Sequence, residues 1–244
     1  MHRAVFLLLL LGLPALAPAQ SPIEEARELV ASYHSDLSGL DRGRDLLEKL
    51  LKTDRQVEAM ILLSRIYFIW GDVRASSREE KLEAYERGRE IAKRAVELAP
   101  KNADAHVWYA TNTGRFGQTK GVLRSLFLLP TIKNELEVIF DLNPKHLGAH
   151  VLAGNVELAI PWGDLDKAEE YFRKGLKLDP HFTVLRVDLA RLLIRRGKYD
   201  EARKELRRVL NEKAPTNLAD WTIKDAKRAR ELLESIKDKS KDKS

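Results

Sequence analysis

The sequence predicts an all-α fold built from stacked helix pairs. Four prolines end helical patterns at similar spacings of 44, 36 and 35 residues: Pro100, Pro144, Pro180 and Pro215. Between these prolines, apolar residues recur at helical spacing on both sides of a central turn. No stretch of useful length alternates apolar and polar residues as a strand does. Self-similarity with a period of this size indicates a repeat architecture in which neighbouring units share one core.

Composition limits the class of protein. Of 244 residues, 44% are hydrophobic and 33% are charged, above the roughly 25% charged residues of an average globular protein. This composition therefore argues against a collagen-like, disordered or multi-spanning membrane protein. The absence of Cys rules out disulfides, thiolate metal sites and a lipid-modified cysteine. Few Asn, Gln and Met among many ion-pairing residues are typical of a thermostable protein.

The N-terminus has the pattern of a cleavable secretory signal peptide at residues 1–19. Arg3 precedes an apolar run at 4–13, and the small residues at 17–19 suit cleavage. The apolar run is too short to span a bilayer, which takes about 20 helical residues. This pattern predicts a periplasmic or secreted protein with no membrane span after cleavage, and with no lipid anchor.

Helix pairs follow in order along residues 20–237. The first pair covers about 23–53 and the second 55–101, where a loop at 73–77 and a long second helix must absorb extra residues. Ser21 and Ser77 each precede a Glu by three residues, the spacing of a capping box that starts a helix.

The next units complete the chain. In the unit at 103–145 the turn is replaced by Gly117–Gly121, and two regular units follow at 147–181 and 183–215. A helix at 220–237 is expected to cap the stack with a polar face. The last residues, 238–244, are charged and of low complexity, which predicts disorder.

The two regular units resemble tetratricopeptide repeats. Their turns read GDLDKAEEYF at 163–172 and GKYDEA at 197–202. Each has the small residue after the turn and the large residue four later that mark this family, and a proline ends each unit: Ala168, Phe172 and Pro180, then Ala202, Leu206 and Pro215. The resemblance implies a right-handed superhelical solenoid of about five antiparallel helix pairs with a C-terminal capping helix.

A narrower resemblance is to the periplasmic T component of TRAP transporters. It is carried by Gly148–Gly154, by a repeat lengthened at Ile160–Asp164, and by a Trp-bearing helix after Pro215. This resemblance implies a transport accessory that works beside a periplasmic solute receptor and handles a small carboxylate.

The tetratricopeptide resemblance also places a candidate binding surface on the concave side. Repeat positions 5, 9, 12 and 13 of each first helix line it in that family, and none of the sixteen residues at these positions is acidic. The candidate surface consists of Arg65, Phe68, Thr111, Arg115, Asn155, Arg191 and Arg195. Forked arginine donors among apolar residues suit an anionic group, either a peptide acid or a small organic acid. Alternatively, these arginines are solvated or stem-packing side chains that pair with acids elsewhere.

Three other features have competing interpretations. His146 and His150 are spaced to chelate a metal from one helix face, but His106 and His150 hold equivalent repeat positions, which favours packing, so no metal or cofactor is predicted. Trp162, in the lengthened turn, is a candidate partner contact. The run Leu126–Leu129 either folds back over the stack or forms an exposed docking patch of the kind that mediates oligomers.

No catalytic or nucleotide-binding motif stands out, and basic residues alternate with acidic ones rather than forming a stripe that would bind nucleic acid. We therefore expect a non-enzymatic scaffold in the cell envelope that binds a protein partner on its concave surface. The alternative is the accessory role beside a TRAP transporter.

Overall fold

The computed structural model describes residues 21–239, which are largely helical and contain no strand. The predicted signal peptide at 1–19 and residues 240–244 of the predicted disordered tail at 238–244 lie outside the described residues. The helices are α1 Pro22–Ala31, α2 Ser38–Leu50, α3 Val57–Val73, α4 Arg78–Leu98, α5 Ala103–Lys120, α6 Val122–Leu142, α7 Leu147–Ala159, α8 Leu165–Leu178, α9 Thr183–Arg195, α10 Tyr199–Leu210, α11 Leu218–Asp220, a π-helical turn Trp221–Asp225, and α12 Ala226–Ser235.

These helices form five pairs, from α1 with α2 to α9 with α10, and each helix packs mainly on its neighbours in the chain. The first helices of successive pairs also touch: α1 with α3, α3 with α5, α5 with α7, and α7 with α9. They therefore form one continuous layer, called here the first-helix layer. The prediction of an all-α, tetratricopeptide-like solenoid is confirmed.

The second pair absorbs its extra residues as the spacing requires. A loop at 74–77 precedes α4, which is 21 residues long. The helix begins with a full capping box, in which the Glu80 amide donates to Ser77 Oγ at 3.0 Å and the Ser77 amide donates to Glu80 Oε2 at 3.2 Å. This reciprocal pair satisfies amides that the first turn leaves without intrahelical partners.

The turn of the third pair is tighter than predicted. Helix α5 continues to Lys120, and Gly121 alone separates it from α6 with a φ of 124°. Only glycine adopts this backbone conformation without strain. The apolar run that follows lies inside α6 and has two sides. Leu128 is buried, as expected if the run packs on the stack, whereas Phe127 is 73% exposed. A docking role for this exposed side stays a prediction.

Close approach between paired helices depends on small residues in the first helix. Phe172 is fully buried and packs so near Gly154 that an added Cβ would lie 2.3 Å from the ring. Ala168, Ala202 and Leu206 are also fully buried. The family signature read from the sequence is therefore the packing contact within the last two pairs.

The C-terminal region departs from the expected single cap. Helix α12 does pack on α10, but the preceding bridging segment, residues 217–225, crosses to the other end of the stack. Tyr33 Oη donates to Asp220 Oδ1 at 2.8 Å, and Thr183 Oγ1 donates to Asp225 Oδ2 at 2.6 Å. The segment thus connects the first helix pair with the last.

None of the helices between residues 21 and 239 combines the length and apolar character that crossing a membrane requires.

Candidate functional site

The seven residues of the candidate surface all lie on the first-helix layer. Helix α3 carries Arg65 and Phe68, α5 carries Thr111 and Arg115, α7 carries Asn155, and α9 carries Arg191 and Arg195. Six of them are half-buried, and Arg195 is exposed. Because α3, α5, α7 and α9 touch in sequence, the fold brings the positions into one layer.

Arg115 is held by an acid and two aromatic rings. Its guanidinium pairs with Asp72 of α3, whose side chain is 11% exposed. The same group lies 5.8 Å from the centre of the Phe68 ring and 5.7 Å from that of Tyr85. Tyr85 Oη donates to Asp72 Oδ1 at 2.7 Å. Burial, together with the Asp72 charge, raises the pKa of Tyr85, so the phenol stays protonated and can act as this donor.

Arg191 belongs to a second network, centred on Asp188. This carboxylate is only 6% exposed and accepts from Arg191 at 2.8 Å and from Asn155 Nδ2 at 2.6 Å. Asn155 Oδ1 in turn accepts from Arg191 at 3.1 Å. The three side chains therefore lock α7 to α9, and one guanidinium nitrogen is committed to both partners.

The other predicted residues at this end are more open. Arg195 donates to the Leu158 carbonyl at 2.5 Å, where it covers the last turn of α7. Trp162 follows that turn and is 67% exposed. An indole with this exposure is available to a partner, although its contact with one stays a prediction.

The idea that no carboxylate accompanies the arginines is wrong for Arg115 and Arg191. Their partners, Asp72 and Asp188, lie on first helices at positions that the family geometry does not assign to the surface. Asp188 precedes Arg191 by three residues, a helical spacing that brings side chains together and was visible in the sequence. Asp72 lies in the last turn of α3, far in sequence from Arg115, so no local spacing indicated this pair.

The bridging segment covers the Arg65 and Phe68 end of the layer. Lys224 Nζ lies 5.3 Å from the centre of the Phe68 ring, and Ile223 packs against the core shared by α1 and α3. Although burial opposes it, Lys224 and the Tyr33 hydroxyl lower the pKa of Asp220, with Arg65 adding to the effect. This end of the predicted groove is therefore filled by the chain itself.

The second acid of the bridging segment, Asp225, has a raised pKa, in contrast to Asp220. Burial raises the pKa of Asp225 to about 7, helped by Asp220 and Asp188 and opposed by Thr183 and Lys224. Around neutral pH, this carboxyl group is poised between its two protonation states.

The spaced histidines, His146 and His150, both contact other groups of the protein. His146 caps α7, where Nδ1 accepts from the Ala149 amide at 3.4 Å, and its Nε2 lies 3.0 Å from Asp104 Oδ1. His150 is buried and directs Nε2 at the Pro144 carbonyl, 3.2 Å away. Among residues 21–239, no group of His, Asp and Glu has the arrangement that a metal ion needs.

Two family models match the chain. The model described as Regulator of microtubule dynamics protein 1-3 matches residues 22–160, and a tetratricopeptide repeat model matches residues 163–221. The second match confirms the resemblance drawn from the last repeats. The first covers the pairs whose irregular lengths and turns departed from that pattern.

Curated relatives agree with the first model. Regulator of microtubule dynamics protein 1 of Pongo abelii is 30% identical over 190 residues, covering 69% of this chain and 59% of the relative. The Bos taurus protein of the same name is 30% identical over 158 residues, covering 56% of this chain and 50% of the relative. The chain thus spans about half the length of the curated relatives it matches.

Among solved structures, a thermophilic TPR protein of Thermus thermophilus has a TM-score of 0.68 at 22% identity. It covers 88% of this chain and 100% of its own. At this identity the likeness concerns the fold alone.

The expected periplasmic or secreted location is wrong. The four curated relatives are animal proteins named as regulators of microtubule dynamics, and such a role belongs to cells that have no periplasm. A short apolar run after an arginine does not by itself specify export.

Proposed function

Because this chain belongs to the Regulator of microtubule dynamics protein 1-3 family, we propose that it is a non-enzymatic scaffold that binds a protein partner on its first-helix layer. Stacked helix pairs present an extended surface of this kind, since each pair buries its apolar face against its neighbours and leaves one side of the layer to a partner.

The bridging segment is the observation that carries this proposal. It is helical from Leu218 to Asp225, and it is held by Tyr33, Phe68 and Thr183 through hydrogen bonds and a ring contact. The first-helix layer thus already binds a helical segment of its own chain. A helix in a groove is a common mode of protein recognition.

A partner would engage the remaining part of the layer, around Thr111, Arg115, Asn155, Arg191 and Arg195. The internal ion pairs fix the guanidinium groups without using all their donors, since Arg115 and Arg191 are still about two-fifths exposed. Fixed donors lose less conformational entropy when they bind a carboxylate on a partner. Trp162 adds an apolar contact at the edge.

The relatives' name makes microtubules the first partner to test. We expect the chain to co-sediment with assembled microtubules, and the double variant Arg191→Glu, Arg195→Glu to lose about tenfold in affinity, as for the loss of a central contact. Lys93→Glu, Arg94→Glu is the matched control, because it makes the same charge change at exposed positions of α4.

A photo-crosslinking residue at Thr111 tests the proposal independently of microtubules. Crosslinks to one discrete protein, lost in the Arg191→Glu, Arg195→Glu variant, would support a scaffold with another partner. If the folded chain neither co-sediments with microtubules nor crosslinks to a discrete protein, the proposal is wrong.

The second role considered from the sequence, a TRAP-transporter accessory for a small carboxylate, has no observation in its favour. It depends on a periplasmic location, which the relatives contradict, and two of the four arginines that suggested an acid site already hold Asp72 and Asp188.

A further inference from the structure

A device for anchoring the first helices recurs in three pairs. The side chain six residues after the closing proline donates to that proline's carbonyl. His106 reaches Pro100 at 2.9 Å, His150 reaches Pro144 at 3.2 Å, and Arg186 reaches Pro180 at 2.9 Å. Because the contact repeats, the three sites can be compared position by position.

In two of the three sites, the anchoring side chain also pairs with an acid on the following second helix. His106 Nδ1 lies 2.5 Å from Glu135 Oε2, and Arg186 donates to Glu205 at 2.8 Å. The equivalent residue in the middle site is Tyr171, which lies nine before Pro180 as Glu135 lies nine before Pro144, and three after Ala168 as Glu205 lies three after Ala202. His150 therefore has no acid to pair with, and its Nδ1 has no partner among the described residues although the side chain is 4% exposed.

Tyr171 instead packs in an aromatic cluster with Phe140 and His150. Its ring stacks on Phe140 with centres 5.7 Å apart and planes at 10°, and Phe140 lies 5.2 Å from the His150 ring. Beside these three rings is a cavity of about 510 Å³, within the range of ligand sites, which are mainly apolar with a few polar groups. The replacement of one acid by an aromatic residue thus coincides with an apolar depression.

The rim of the cavity is basic. Lys145, Lys174 and Lys177 line it, and among its described lining residues none is acidic. The positions equivalent to Lys174 and Lys177 in the preceding repeat are Val138 and Asp141, so the repeat pattern does not demand lysine there. Lys174 is the one whose amine is partly engaged, at 2.7 Å from Glu170.

We propose that this cavity binds an acidic peptide segment of a protein partner, with an aromatic side chain of the segment against Tyr171, Phe140 and His150 and its carboxylates on the rim lysines. Offset or tilted aromatic contacts add to apolar burial, and the lysines match carboxylates in charge. The cavity is lined by the C-terminal parts of α6 and α8, and none of the seven residues of the candidate surface is among its described lining residues. It would therefore provide a second contact.

The test uses the whole chain and the fluorescein-labelled peptide Glu-Asp-Glu-Phe-Glu-Asp. We expect saturable binding that weakens about tenfold or more, as for a hot-spot loss, when Phe in the peptide becomes Ala. The protein variant Lys145→Glu, Lys177→Glu should have the same effect. Tyr171→Glu, which restores the acid of the other repeats, should abolish binding. Lys93→Glu, Lys101→Glu is the matched control, because it makes the same charge change at exposed positions and Lys101 follows Pro100 as Lys145 follows Pro144.

A second readout reports on the cavity itself. Burial and the Lys174 charge lower the pKa of His150, so carboxylates on the rim should raise it in an NMR titration. Phenylacetate, which carries one aromatic ring and one carboxylate, tests whether a small molecule binds as well as the peptide. Binding that ignores the Lys145→Glu, Lys177→Glu and Tyr171→Glu changes would overturn the proposal, as would phenylacetate binding as tightly as the peptide or no peptide binding to the folded chain.

Discussion

Individual side chains act in this protein mainly by fitting against, or pairing with, a residue of the neighbouring helix. Gly154 and Phe172 form such a fit, and Arg191 and Asp188 such a pair. The same type of residue therefore contributes differently to stability at different positions. Substitutions at two glycines and one aspartate measure this difference.

Gly154→Ala should destabilise the chain by about 1–3 kcal/mol, the usual cost of overpacking, because the new methyl group would enter the fully buried Phe172 ring. Urea unfolding gives the difference. Gly114→Ala on α5 is the control, since its nearest neighbour there would be 3.6 Å away. It should be neutral or stabilising by up to about 1 kcal/mol from helix propensity. Equal effects of the two substitutions would disprove this packing explanation.

Asp225→Asn should change how stability depends on pH. Burial raises the pKa of Asp225 from 3.8 to about 7 in the folded chain, so its contribution is full below about pH 4 and is lost as pH rises toward 7. The variant, which keeps an acceptor for Thr183, should gain about 2–4 kcal/mol relative to wild type between pH 4 and pH 7. Chemical denaturation at several pH values measures this gain, and parallel curves would contradict it.

Among the helices, α4 shows how a single element accommodates an irregular repeat. Its 21 residues follow a four-residue loop, and the capping box at Ser77 and Glu80 sets where it starts. This start places the buried Tyr85 against Gly71 of α3. The cap therefore contributes to register as well as to local stability.

Ser77→Ala should lower the free energy of unfolding by about 0.5–2 kcal/mol, the usual loss for an N-cap hydroxyl. Denaturant titration is the measurement. Gln56→Ala is the comparison, since Gln56 precedes α3 without a capping hydrogen bond from its side chain and should cost much less. A loss at Gln56 that matches the loss at Ser77 would show that the capping hydrogen bond is not the cause.

The helices were predictable from local sequence patterns, whereas the contact between the first helix pair and the bridging segment was not. Prolines, helical periodicity and the Ala168–Phe172 signature locate the helices, because each depends on residues a few positions apart. Residues 220–237 read as one amphipathic helix, and nothing in that pattern indicates that Asp220 meets Tyr33, 187 positions away. The candidate positions lie on first helices that touch in sequence, and their role in binding stays a prediction. The acids that pair with Arg115 and Arg191 were missed because only assigned surface positions were considered.

Across the whole molecule, the bridging segment adds contacts between helix pairs that are not adjacent in the stack. In a simple repeat array each unit contacts only the next one. Here Tyr33 on the first pair and Thr183 on the last pair both bind the same segment. Distant repeats are therefore coupled, and part of the first-helix layer is occupied.

A double-mutant cycle should reveal this coupling. Tyr33→Phe and Asp220→Asn should be non-additive by about 0.5–3 kcal/mol in unfolding free energy, as for contacting residues. Tyr33→Phe with Tyr85→Phe is the control cycle, because Tyr85 donates to Asp72 elsewhere, and it should be additive within about 0.5 kcal/mol. Additive effects in the first cycle would mean that the contact does not contribute to stability.

Hydrogen–deuterium exchange of the chain alone tests most directly whether the first-helix layer holds a helical segment. Amides in residues 217–225 should be protected as strongly as those of α9, because both belong to one packed unit and open only together. Rapid exchange of 217–225, with α9 and α12 still protected, would instead show a loose linker before a simple cap. In that case the layer would not bind its own segment, and the main support for the proposed scaffold would be lost.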